Sequence, residues 1–482
     1  MINFITKKYR NVNATAKAAF WFTCANVAQK AIAFLYIPLY TRLVSSEEFG
    51  IWSIWQTSFQ VLLIIGSFYL YTGVFNNGMI KYESEEERDR FTSAMTGLSS
   101  LCTMLLFFLY LLFAPYISEF IGLSDLLIAL MFIQVFLTPP LNYWMVRKRF
   151  ENKYKSVVSV TLGISILIPI SALLLMQLIG NNATAITAGY VFGNSVFGLV
   201  CFLKTLRRPW KALFSKIDWK YAVKFNAPLL PYYLANIILA QIDRVMIGIL
   251  CTSSLAGIYS LASQINLALT VVIGGINGAF IPWMYRKLKE KNESVISKAI
   301  ELVTVVVGLV CLVVVMFGPE LLSILGPEEY QVARWVIPPI LLGSFAVCFQ
   351  TLFYNIEMYF AVTKFAALIS ILVAILKIFS NLCFIPLFGI YAAGWTTLGC
   401  YILLAFLHYC VSKRVLIKNN LREVLNPAKL LSCFLGVVFL SLLVMLVYDN
   451  LYIRVVAFLA AILVAILLRK NIVAKNSFEK RK

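Results

Sequence analysis

The segment LVSSEEFGIWSI (43–54) has a counterpart in LCTSSLAGIYSL (250–261). Gly50 falls on Gly257, Ile51 on Ile258, Trp52 on Tyr259 and Ser53 on Ser260. Further along, APYISEFIG (114–122) meets GPELLSILG (318–326), and AGY (188–190) meets AGW (393–395). Each match alone is weak. Three in order, at a nearly constant offset of about 205 residues, mark an internal duplication.

The residues between the matches say what is duplicated. Over 482 positions the chain is 61% hydrophobic and 13% charged, against about 45–50% and about 25% for soluble domains. A bilayer-crossing helix needs about 20 mostly apolar residues. Such runs begin near residues 17, 50, 91, 122, 156, 183, 220, 254, 295, 332, 364, 390, 428 and 450. The expectation is an all-α, polytopic membrane protein with about fourteen transmembrane helices. The repeat covers about six of them, an even number, so both copies point the same way. That gives two parallel six-helix lobes about an axis along the membrane normal, a transporter plan with substrate held between the halves, plus two C-terminal helices. The expected divisions are an N-terminal lobe (1–203), an interfacial linker (204–218), a C-terminal lobe (219–412), a second linker (413–426), helices 13 and 14 (427–471) and a cytoplasmic tail (472–482). Lys7, Lys8 and Arg10 precede the first run, but that run carries Asn26, Gln29 and Lys30. It lacks the clean core of a cleavable signal and is expected to remain in the mature protein.

The net charge of +20 would suggest nucleic acid in a soluble protein. Its distribution reads otherwise. Arg147, Lys148 and Arg149, Arg207 and Arg208, Arg286, Lys287 and Lys289, Lys413 and Arg414, and Arg469 with Lys470 fall in alternate breaks. The breaks 114–122, 177–183, 251–254 and 386–391 contain no Lys or Arg. This positive-inside pattern places both termini in the cytoplasm. The charge orients the chain and meets membrane lipids, and no nucleic-acid partner is expected. In KTLRRPWKALFSKIDWK (204–220), Trp210, Leu213, Phe214 and Ile217 oppose Arg207, Arg208, Lys211 and Lys216, the pattern of a helix lying in the interface. Residues 413–425 repeat it with Ile417, Leu421, Val424 and Leu425. KYESEEERDR (81–90) reads as a solvated helix cap.

The ten cysteines lie in or beside apolar runs without a CxxC pair, which argues against a metal or redox site. His408 is the single histidine, and neither a Walker loop nor GxGxxG is present. No catalytic residue, cofactor or metal is expected, and His408 reads as structural. The informative residues are polar groups within the spans. Away from loops and margins the basic ones are Lys30, Arg42, Lys224, Arg244, Arg334, Lys377 and Arg454, and the acids are Asp243 and Glu357. Arg42, Arg334, Arg454 and Lys224 stand near helix ends and can snorkel. Lys30, Arg244 and Lys377 reach water less easily. A charge at a helix centre costs about 2.5–3.5 kcal/mol on insertion scales, so these groups should face a wet cavity or one another. For each of Asp243, Arg244, Lys30 and Lys377 the alternative is a packing contact that fixes helix register.

Polar faces recur at equivalent places in both copies: Asn26 with Lys30 and Ser53 with Gln56 and Gln60 in the first, Gln241 with Arg244 and Ser260 with Gln264 in the second. Neighbouring residues point about 100° apart on a helix, so Arg244 is expected to face the cavity and Asp243 to anchor to a neighbour. Lys30, Lys224, Arg244 and Lys377 against Asp243 and Glu357 make a net-positive cavity, suited to an anionic head group. An exporter of organic cations would want the reverse.

With the duplication, the segment LVSSEEFGIW, QIDRVMIG (241–248) and YTR (40–42), the chain resembles the polysaccharide flippases of the multidrug/oligosaccharidyl-lipid/polysaccharide exporter superfamily, most of all the Wzx-type repeat-unit flippases of O-antigen and capsule assembly. The resemblance runs over essentially the whole length. It implies alternating access through a cationic cavity and a substrate of undecaprenyl-pyrophosphate-linked oligosaccharide, moved from the cytoplasmic to the outer leaflet of the inner membrane. By position, Lys30, Arg42, Arg244 and Lys377 are the substrate-binding candidates, although Lys377 matches no family motif. Asn26, Gln56, Gln241, Asp243 and Gln264 would support them. The resemblance further implies ion or potential coupling and a polysaccharide polymerase as a partner. The alternatives are a multidrug exporter or lipid II flippase on the same fold and, further off, a membrane glycosyltransferase or polymerase.

Overall fold

The computed structural model describes residues 14–207 and 212–460, which are helices joined by short turns. In chain order these are α1 (Ala14–Leu43), α2 (Ser46–Gly66), α3 (Val74–Lys81), α4 (Glu85–Ile121), α5 (Asp125–Phe150), α6 (Tyr154–Ile179), α7 (Ala183–Leu206) and α8 (Lys216–Asn226). Then follow α9 (Leu230–Leu250), α10 (Ser253–Lys289), α11 (Glu293–Met316), α12 (Gly318–Leu325), α13 (Ile337–Tyr359), α14 (Thr363–Phe388), α15 (Ile390–Lys418) and α16 (Pro427–Leu446). Among the described residues thirteen helical segments are long and apolar enough to cross a membrane, and α17 (Leu451–Ala460), where the fourteenth expected span starts, is a shorter apolar helix. The rest of that span and the tail lie outside the described residues. The protein is an all-α, multi-pass membrane protein.

Local chemistry sets where the helices begin. Ser45 caps α2 by accepting from the Glu48 amide, and Thr252 caps α10 by accepting from Leu255. These residues correspond in the two copies of the repeat, so the duplication kept a hydroxyl cap that satisfies an otherwise orphaned N–H. In the 81–90 stretch, Ser84 and Glu87 form a capping box at the start of α4. That helix kinks at Phe113, two residues before Pro115, whose ring cannot continue the hydrogen-bond ladder.

The repeat matches reappear as close backbone approaches. A Cβ on Gly50 would lie 1.7 Å from the Ser253 carbonyl oxygen, and one on Gly257 would lie 2.2 Å from that of Ser46. The two duplicated glycines therefore press α2 of the first copy against α10 of the second. Gly189 rests on the Ala172 backbone, and Gly394 on Val336 and Pro339. Lipid offers no hydrophobic gain for helix association, so close approach of small residues and interhelical hydrogen bonds carry it. The seam is bonded at this end. Thr41 donates to the Leu325 carbonyl at 2.6 Å, Ser46 donates to Glu329 at 3.2 Å, and the Ser46 and Ser254 hydroxyls stand 2.8 Å apart. Toward the basic end, α10 is open around Gly274, Gly275 and Gly278, where an added Cβ would meet nothing within 4 Å.

Helix α16 docks on α11 and α13 through stacked Phe345 and Phe434 and through Val437 against Gly308. Arg454 does not snorkel. It is 2% exposed and binds Glu320 at 2.6 and 2.7 Å and the carbonyls of Met316 and Tyr448. Arg334 pairs with Asp449 at 2.9 Å.

Of the first linker only part lies among the described residues, and the second differs from the interfacial helix expected. Residues 212–215 are a tight turn, and the helix starts at Lys216 under a Ser215 cap. The Leu213 carbonyl oxygen comes so near Gly97 that a Cβ there would stand 2.2 Å away; Arg208, Trp210 and Lys211 lie outside the described residues. In the second linker, α15 runs on to Lys418 and residues 419–426 turn, burying Leu421, Val424 and Leu425 in the core while Ile417 stays exposed. Apolar residues at helical spacing serve equally well as plugs in a turn.

Gly50→Ala and Gly257→Ala are expected to hold the sealed end apart while leaving each half folded. Maleimide labelling of a cysteine at Ser254, applied from the side away from the basic residues, should rise several-fold in either variant. Unchanged labelling would show that the seam does not depend on this contact.

Candidate functional site

Below the glycine contact a cavity of about 540 Å³ opens between α2 and α7 of the first copy and α9 and α10 of the second. Gln56, Phe59, Gln60, Leu63 and Tyr190 line it on one side, and Gln241, Arg244, Ser263, Gln264 and Asn266 on the other. Gln60 and Gln241 bond reciprocally across the seam at 3.1 and 2.9 Å. A smaller recess of about 230 Å³ continues into the second copy past Arg244, Asn266, Thr270, Ser344 and Thr397. The Asn266 side-chain oxygen is buried there without a protein hydrogen-bond partner. Behind Phe59 and Tyr190 stands Trp55, stacked on Phe59 with centroids 5.5 Å apart and edge-on to Tyr190 at 5.8 Å.

Asp243 and Arg244 go separate ways. Asp243 is buried, and its carboxylate accepts from Lys377 at 2.9 Å, Asn381 at 2.7 Å, and the hydroxyls of Tyr259 and Thr397 at 3.0 Å. Lys377, fully buried, also donates to the Leu239 carbonyl at 2.7 Å. The pair is thus neutral and hydrogen-bonded, the condition under which buried charges are tolerated. Arg244 lines both spaces, and among the described residues no hydrogen bond or ion pair holds its guanidinium. Besides Arg244, the only charged side chain on these walls is Asp243.

The site residues named from sequence therefore divide. Gln56, Gln241, Arg244 and Gln264 meet at the cavity, with Asp243 at its edge. Lys377 is withdrawn as the counterion of Asp243, because an ammonium in α14 is the nearest answer to a carboxylate that cannot reach water. Arg42 lies at the sealed end, donating to the carbonyls of Pro38, Ser323 and Ile324, a cation at the C-terminus of α12 where the helix dipole favours it. Asn26 is exposed and Lys30 half-buried on α1, and neither lines the cavity. Glu357 leaves the charge count as well: wholly buried, it faces His408 Nδ1 at 3.0 Å, with Ser412 beside it. Lys224 is exposed. The wall carries one free cation among amides, not four. Sequence reasoning did not single out Tyr190, Ser263, Asn266, Asn381 and Thr397. Asn381 follows Lys377 by one turn, and Asn266 follows Ser263, so helical spacing was the available signal.

Residues 15–288 match the family described as "Polysaccharide biosynthesis protein". A Haemophilus influenzae protein named as an uncharacterized membrane protein is 24% identical over 409 residues, 82% of this chain and 96% of that one. Another from the same organism, "Lsg locus putative protein 1", is 31% identical over 72 residues, 15% of this chain and 18% of that protein's length. Among solved structures, lipid II flippase MurJ in an inward closed conformation aligns with a TM-score of 0.63 at 15% identity, over 90% of this chain and 99% of that one. An inward-facing multidrug resistance MATE family transporter of the MOP superfamily gives 0.66 at 10% identity, over 82% and 96%. At such identities the likeness is one of fold.

Asp243→Asn or Lys377→Met should each destabilise the purified protein by about 3–5 kcal/mol, because either leaves one charge buried alone. Asp243→Asn combined with Lys377→Met should recover most of that loss. Unfolding in detergent would check both, and equal additive losses would contradict the coupling.

Proposed function

The chain belongs to the polysaccharide biosynthesis protein family, and on that basis we propose that it is the flippase for a lipid-linked oligosaccharide repeat unit. The substrate is the unit carried on undecaprenyl pyrophosphate, moved from the cytoplasmic to the outer leaflet. The observation that carries this reading is the cavity between the two copies of the repeat, walled by glutamines and by one arginine with no protein acceptor. A saccharide presents many neutral donors and acceptors, which amides match. A phosphate presents concentrated negative charge and pairs of acceptor oxygens, which the planar fork of a guanidinium matches. An exporter of organic cations would need a free carboxylate, and the Asp243 oxygens are fully engaged.

We read the basic end, and both termini, as cytoplasmic and the membrane as the bacterial inner one; the positive-inside distribution supports that orientation. The glycine-sealed end then faces outward, and the open flank of α10 faces the side where the substrate is made. Alternating access follows if the two six-helix lobes rock about the cavity. The cationic character of the cavity reduces on this reading to Arg244.

A strain lacking the protein should accumulate the complete oligosaccharide on its lipid carrier at the inner leaflet. Arg244→Ala should lower surface polysaccharide at least tenfold at normal protein levels, and Arg244→Lys should restore part of it. Full polymer output from Arg244→Ala would sink the anchoring role. An incomplete sugar chain in the deletion strain would point to a glycosyltransferase instead.

A further inference from the structure

Gln60 and Gln241 hold each other across the seam, each amide giving one hydrogen bond and receiving one. Other bonds between the copies lie at the two ends: those from Thr41, Arg42 and Ser46 at the sealed end, and those of Trp219 to Ala94 and of Asn226 with Phe68 and Val74 at the basic end. The amide pair is thus the direct tie between the copies inside the cavity, and it stands where a substrate would pass.

Parting two partly buried amides leaves a donor and an acceptor to be matched again on each side. A group that takes their place must both accept and donate. A hydroxyl does so, and so does an acetamido substituent, whose C=O and N–H point in opposite directions and can serve one glutamine each. A phosphate oxygen, an ether or an alkyl chain cannot, because each leaves a glutamine carbonyl without a donor. One turn along α9 from Gln241 stands Arg244, three residues on, with Cβ atoms about 5–6 Å apart. That is the scale on which a sugar carries a phosphate at its anomeric carbon and a substituent at the next carbon, C2. Asn266 adds a buried acceptor without a partner on the same wall.

We infer that Gln60 and Gln241 form a specificity clasp for the sugar adjoining the phosphate. It opens by exchanging the amide–amide bonds for bonds to a hydroxyl or acetamido group at C2, while Arg244 takes the phosphate. This rests on the flippase reading. It makes sugar recognition and loosening of the seam at this level a single event.

The test uses the full-length protein in nanodiscs and three probes: farnesyl diphosphate bearing N-acetylglucosamine, glucose or 2-deoxyglucose. The wild type should bind the first two about tenfold more tightly than the 2-deoxy probe, since a site built around hydrogen bonds rejects the analogue that lacks the group. Gln60→Leu and Gln241→Leu should each bind all three within about twofold, the preference lost with the clasp. Arg244→Ala should weaken all three alike. If a leucine variant does not fold, Gln241→Asn, which keeps the amide but retracts it, should show the same loss of preference. Equal binding of the 2-deoxy probe by the wild type, or a preference kept in the glutamine variants, would overturn the clasp. Failure of the wild type to bind any glycosyl probe or bare farnesyl diphosphate would remove the flippase reading beneath it.

Discussion

Two glycine backbones in contact fix the geometry of the molecule. Where Gly50 meets Gly257 there is no room for a methyl group, so α2 and α10 cross at the closest distance helices allow. From that crossing both helices run toward the basic end. Gln60 lies ten residues down α2, about 15 Å at 1.5 Å per residue, and Gln264 lies seven residues down α10. The cavity is the space between these two descents. A larger residue at the crossing would shift every wall residue at once, because each is placed by counting along a rigid helix from one point.

Burial then decides which charges the cavity keeps. Asp243 with Lys377, Glu357 with His408, and Arg454 with Glu320 each settle inside protein. In hydrocarbon an unsatisfied polar group costs several kcal/mol, so each side chain turns to its nearest complement. Arg244 is the exception. It shares α9 with Asp243, but the 100° between neighbours points it at the opening, and no carboxylate other than that of Asp243 lines the walls it faces. A lone guanidinium in a neutral, amide-lined space has a stronger field than one among compensating acids, since little nearby opposes it. On the proposed function, a preference for an anionic head group follows from how completely the other charges are paired.

Much of this was legible in the sequence. Run lengths and turn residues placed the helix starts within a few residues, and the repeat aligned Gly50 with Gly257, although it did not show that the two meet. The separation of Asp243 from Arg244 followed from helical geometry alone. What one chain read alone could not supply was partnership between distant spans. Lys377 and Asp243 are 134 residues apart, and nothing local distinguishes a lysine facing a cavity from one answering a carboxylate. The same limit misled the reading of Arg42, whose acceptors lie on α12, and of the 413–425 stretch, whose spacing fits a surface helix or a buried turn equally.

The pair of helices outside the duplication has its own logic in α12. This short helix receives Thr41 and Arg42 of the first copy at its last carbonyls, while Glu320 near its start is gripped by Arg454 of α17. Any opening of the sealed end must break the first set of bonds. The second set lies within the second copy and its C-terminal addition, and survives. An acceptor for a latch must stay still when the donor leaves; Leu322 and Leu325 of this eight-residue helix are buried in the core, and its first turn takes a further restraint. The buried Arg454 supplies that restraint, with its guanidinium bound to both Glu320 oxygens and to two backbone carbonyls. On the proposed alternating access, the added helices thus steady the acceptor side of a closure whose donors stand at the end of α1.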